Sequence, residues 1–136
     1  MININEITAG AIGNLKKMPE LSGISIISGA RRPAGFPNPT VTVFLLANAI
    51  GDLDIIRSML VVNVFADNLD KGMPDKAFLA SRAEAIVNAL HEKPLARSGV
   101  YTYNCRCEFI SDALWDPDDP DEHYVNCRFS LITRRE

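Results

Sequence analysis

The amino-acid sequence predicts an α+β fold: a mainly antiparallel sheet of about five strands with two helices packed on one face, in the order α-β-β-β-α-β-β. Two segments, 3–17 and 76–92, place apolar residues at helical spacing. Two others, 100–111 and 123–134, alternate with the period of a half-buried strand. Between them lie short β-rich runs set off by glycine, proline and aspartate. Helices that segregate from an antiparallel sheet in this way cover one of its faces.

In the first helix Ile4, Ile7, Ala11, Leu15 and Met18 form one stripe with Ile12 beside it, and Pro19 ends the segment because proline cannot continue the hydrogen-bond ladder. ISIISGA (24–30) follows as a short strand. RRPAGFPNP (31–39) then holds three prolines and a glycine, which predicts a long exposed loop carrying Arg31 and Arg32. Residues 40–50 and 55–67 read as strands joined by the GDLD turn, hence an antiparallel hairpin. Asp75 is placed to cap the second helix, whose buried stripe is Leu79, Ala83, Ile86 and Leu90, with Pro94 beyond its end. In the last two strands Tyr101, Tyr103, Cys105, Cys107 and Phe109 share one phase, and Val125, Cys127, Phe129 and Leu131 the matching one. No repeat, low-complexity tract or linker divides the chain, so 1–136 reads as one domain with one core.

The central strand MLVVNVFADN (59–68) carries apolar side chains on both faces. Leu60, Val62, Val64 and Ala66 point one way, toward the helices, while Met59, Val61 and Phe65 point the other way with Asn63. That second face needs a cover. It is either a neighbouring molecule or one of the chain's own loops, with the proline-rich loop and its Phe36 as the internal candidate.

A net charge of −3 provides no basic field for a phosphate backbone, and a hydrophobic content of 47% is ordinary for a globular protein. The apolar runs fall short of the roughly 18 residues that a membrane helix needs, and MININEITAG lacks the basic and apolar regions of a signal peptide; the expectation is a soluble, unsecreted protein. Cys105, Cys107 and Cys127 are odd in number and lie on apolar strand phases, which fits core packing in a reducing environment. A zinc site would have to add His123, but Cys-x-Cys supplies one thiol pair and no second close pair completes the set.

Signatures of phosphate-binding loops, dinucleotide folds, zinc proteases and serine hydrolases do not occur, and no catalytic residue is assigned. His91, in the last turn of the second helix, sits where a cation suits the helix dipole; His123 opens the last strand at an exposed position. WDPDDPDEH (115–123) concentrates Asp116, Asp118, Asp119, Asp121 and Glu122. Without the glycine and spaced glutamate of a calcium loop, it reads as a solvated hairpin tip. Arg31 and Arg32 are expected to be solvated or to face an acidic partner, such as DNA or a neighbouring subunit's acidic hairpin.

The amphipathic first helix, RRPAGFPNP before a strand, the central strand ending VNVFADN, the helix DKAFLASRAEAIVNALHEK and the closing strand HYVNCRFSLITRR succeed one another across nearly the whole chain. This layout resembles the tail terminator and tail completion proteins of long-tailed bacteriophages, small α+β subunits that form rings at the head-proximal end of the tail. The resemblance carries no active-site motif. It implies a non-enzymatic virion protein, assembled in the host cytoplasm, that caps the tail tube as a homo-oligomeric ring at the tail–head joint. Its partners would be itself, the tail-tube and head-completion proteins, and DNA passing through the lumen without sequence-specific binding; no cofactor, metal or membrane is implied. On this reading Met59, Val61 and Phe65 form a subunit interface, and Arg31 and Arg32 face the lumen or a subunit contact. The alternative is a small-molecule- or metal-binding α+β domain, an enzyme included, with a pocket between sheet and helices that uses Cys105, Cys107, Cys127 and a histidine. An RNA-binding sheet displaying Tyr101 and Tyr103 is disfavoured, because those rings share the buried phase.

Overall fold

The computed structural model describes residues 4–46 and 58–135. Its elements are α1 (Ile4–Lys16), β1 (Ser25–Ser28), β2 (Thr40–Leu46), β3 (Met59–Asp67), α2 (Lys76–Leu90), β4 (Pro94–Ser98), β5 (Tyr101–Ile110), β6 (Leu114–Trp115) and β7 (Glu122–Arg135). The sheet runs β1-β2-β3-β7-β5-β4, with β6 beside β7. β1 and β2 are parallel, and every other strand pair is antiparallel. The α+β class holds, but the described residues form a sheet of seven strands rather than about five. β4 escapes a pattern reading because only Leu95 of its five residues is buried, and its proline takes the first position of an edge strand, where no ladder donor is needed. β6 is two residues long. The β2–β3 pairing is the expected hairpin; its GDLD turn lies outside the described residues.

The core occupies the helix side of the sheet. β3 contributes Leu60, Val62 and Val64 to it, α1 contributes Ile7, Ala11 and Leu15, and α2 contributes Leu79, Ala83, Ile86 and Leu90. Asp75 caps α2 as its position in sequence suggests, accepting from the Phe78 N–H at 3.2 Å. His91 has a different task from the one expected. Its Nδ1 accepts the Cys107 N–H at 3.0 Å, so the ring fastens the end of α2 to β5. None of the described helices is long and apolar enough to cross a membrane.

α1 packs against β1 and β2 and also against β4, strands from opposite ends of the sheet order. Only a sheet that curls around the helix brings both ends beneath it. The fit is tight at Gly10, where a Cβ would land on the carbonyl oxygen of Leu95; at Gly13, three residues on, a Cβ would meet nothing within 4 Å. The two glycines should therefore respond oppositely to alanine. Gly13→Ala should stabilise the protein by up to about 1 kcal/mol through helix propensity. Gly10→Ala should destabilise it by about 1 to 3 kcal/mol, because the overpacking outweighs the propensity gain. Urea unfolding curves of the two variants would check the signs.

β5 departs from simple alternation. Its register against β7 shifts between Cys107 and Phe109. Phe109 therefore leaves the phase of Cys105 and Cys107 and stands 50% exposed, with the Arg128 guanidinium over its ring. The expectation that Phe109 shares the inward phase is corrected by this bulge.

Candidate functional site

On the sheet face opposite the helices, β3 presents Met59, Val61, Asn63 and Phe65. Val61 lies between Phe44 and Arg128, Asn63 between Thr42 and Asn126, and Phe65 between Thr40 and Tyr124. Phe65 stacks on Tyr124 with ring centroids 5.2 Å apart, and Asn126 Nδ2 donates to Asn63 Oδ1 at 2.6 Å. Over them Ala30 and Arg31 of the proline-rich loop approach Asp116, Pro117 and Asp118 of the acidic hairpin, bounding a cavity of about 130 Å³. Val61 is 4% and Phe65 3% exposed, and Met59 is half-buried. An interface through this row requires side chains that a neighbour can reach, and in two of the three positions the side chain lies beneath the surface. The internal cover is the one realised over Phe65, with Ala30 and Arg31 rather than Phe36 at the cavity.

The loop is tied to the hairpin by Arg32. Its Nε donates to both carboxylate oxygens of Glu122 at 3.1 and 2.8 Å, Nη2 pairs with Asp119 Oδ2 at 2.5 Å, and Nη1 donates to the Phe36 carbonyl. Asn38 Nδ2 adds bonds to Asp67 Oδ1 at 2.8 Å and Glu122 Oε2 at 3.1 Å. The hydrogen bond to Glu122 raises the Arg32 pKa further above its already high ordinary value. The side chains of Arg32 and Glu122 are only 10% and 2% exposed. The expectation of an exposed charge at Arg32 is thus corrected: its acidic partner is the hairpin of its own chain. Arg31 pairs with Asp118 and remains at the surface. The hairpin is more than a solvated tip, since Glu122 is buried beneath it.

Cys105 and Cys127 are buried in the core, and Cys107 is half-buried. His123, also half-buried, donates from Nδ1 to Asn68 Oδ1 at 2.5 Å. It stands four residues from Cys127 along β7, roughly 13 Å away in an extended strand. Among the described residues no group of three or more His, Cys, Asp and Glu side chains is arranged to hold a metal ion. Burial pushes the Cys105 and Cys127 thiols up from 9.0 to about 12. Both folded values lie above the unfolded one, so the stability that the neutral thiols contribute is complete below about pH 9 and is lost as pH rises toward 12. The thermal midpoint should accordingly fall between pH 9 and 11, and fall less in a Cys105→Ala/Cys127→Ala variant. In the native protein only Cys107 should react promptly with a thiol reagent.

The free surface lies elsewhere. Ile110, Leu114 and Trp115 are 48%, 39% and 59% exposed at the far end of β5 and in β6. Beside them a groove of about 320 Å³ opens between α2 and residues 110–113, floored by Leu79, Ala83, Val87 and Val125. Sequence reasoning passed over these residues because simple alternation puts Ile110 on the outward phase of its strand, where the bulge that aligns it with Cys127 is not foreseen, and Leu114 and Trp115 sit beside an acidic loop. The one available signal was the chain's single tryptophan placed among aspartates.

Neither a protein-family model nor a curated protein matches the sequence. Among solved structures, a chain of the "Virion of native gene transfer agent (GTA) particle" shares the fold, with a TM-score of 0.63 at 15% identity over 93% of this chain and 92% of that one.

Proposed function

We propose that this protein is a non-enzymatic structural component of a phage-type virion, and within it a tail-terminator-like subunit that caps the tail tube as a ring and joins tail to head. The observation that carries the reading is a fold shared almost end to end with a chain of a gene transfer agent virion. The tail-terminator assignment rests on the order of sequence elements described above. In this role Arg31, at the surface beside Asp118, is the charge available to the lumen or a neighbouring subunit, and Arg32 acts by holding the loop on which Arg31 sits. Met59 is the member of its row that a neighbour would reach first. Tail-tube and head-completion proteins are the expected partners, with DNA passing through the lumen.

Particles purified from the producing cells should contain this chain by mass spectrometry, and deletion of its gene should leave heads and tails unjoined in negative-stain micrographs. Joined, functional particles that lack the protein would overturn the proposal.

A further inference from the structure

We propose that the β4–β5 hairpin tip of one copy, Gly99–Tyr101, seats in the groove between α2 and residues 110–113 of a second copy, so that copies associate head to tail. This rests on the reading of the chain as a self-assembling virion subunit and adds the surfaces that meet.

The tip is an apolar plug. Val100 and Tyr101 are 48% and 43% exposed, on a turn that Gly99 makes with a φ of +59°. Beside it on β7 stand Arg134 and Arg135, opposite Thr102 and Tyr101. Both are exposed, and no ion pair among the described residues uses either. The groove is the matching socket. Its floor is apolar, and its lining also includes Glu84 and Asp112. The one cation there, Lys76, meets Asp112 only loosely, at 3.9 Å, with both side chains largely exposed. An apolar plug flanked by two cations thus faces an apolar socket that bears Glu84, Asp112 and Lys76, a net charge of one negative.

Plug and socket lie at opposite ends of β5, nine residues apart. That is roughly 30 Å along an extended strand, so no copy can fill its own socket. The two ends differ in shape and in sign of charge, and the contact between copies is therefore heterologous; it closes into a ring if the rotation per copy permits.

Sedimentation velocity on the full chain tests this with Val100→Asp/Tyr101→Asp at the plug and Ala80→Arg at the socket. All three positions are exposed, so circular dichroism should remain native. Wild type should associate as its concentration rises, and each variant alone should need at least tenfold higher concentration to do so. Mixed together, the variants should form a one-to-one dimer and nothing larger, because one intact plug meets one intact socket. A wild type that stays monomeric at every concentration overturns the contact. So does wild-type assembly that the variants leave unchanged, or a small apolar ligand found in the groove by native mass spectrometry with association unaffected by its removal. In each of these cases the virion reading is judged separately, by the composition of purified particles.

Discussion

Replacing Arg32 by alanine should lower the stability of the fold by about 3 to 5 kcal/mol, the range found when one partner of a buried ion pair is removed. Glu122 would keep a carboxylate in a site where its side chain is 2% exposed, with Asn38 Nδ2 alone left of its side-chain donors among the described residues. Arg31→Ala, which removes a surface pair, should cost less than about 1 kcal/mol. Adding Glu122→Gln to Arg32→Ala should recover part of the loss, because an uncharged amide is cheaper to bury than an unpaired carboxylate. Urea unfolding followed by circular dichroism would measure all four proteins. Equal losses for Arg31→Ala and Arg32→Ala would show that the Arg32 pair is not a buried tie.

Aspartate at Val64 and aspartate at Phe65 should both prevent folding, although the two side chains point to opposite faces of β3. Val64 is 0% exposed beneath the helices, and Phe65 is 3% exposed, stacked on Tyr124 and roofed by loop and hairpin. An unpaired charge in either place costs several kcal/mol, against a total stability that is typically about 5 to 15 kcal/mol for a domain. Aspartate at Trp115, which is 59% exposed, should leave the fold intact. Soluble yield and far-UV circular dichroism distinguish the three, and a soluble, native-like Phe65→Asp protein would mean that the second face is open after all.

Much of the architecture was legible in the sequence for local reasons. The stripes of α1 and α2 repeat within a few residues, Asp75 caps a helix three positions away, and the inward side of β3 follows from simple alternation. What was not legible depends on distance or interruption. The tie between Arg32 and Glu122 joins positions 90 apart, and no periodicity announces it. The Phe109 phase turns on one extra residue in β5. The groove exists because the cover that α2 provides does not close over Ile110, and a linear pattern does not say where a helix ceases to shield a sheet. The expected contact row was accordingly sought on the apolar face of β3, where loop and hairpin roof Phe65, and the exposed apolar residues at the end of β5 were passed over.

β7 has a consequence for the history of each molecule. It is the last strand in sequence and sits in the interior of the sheet, bonded to β3 on one edge and to β5 and β6 on the other. Among the described residues the β1–β3 block and the β4–β5 pair share no strand pairing of their own. During synthesis both must wait with unpaired edges until residues 122–135 arrive between them, and edges left waiting are the places where chains stick to one another. Substitutions that weaken pairing along β7 are thus expected to reduce the yield of newly made protein more than the stability of finished molecules. Comparing soluble expression with urea midpoints for the same variants would reveal the difference, and parallel losses in both would rule it out.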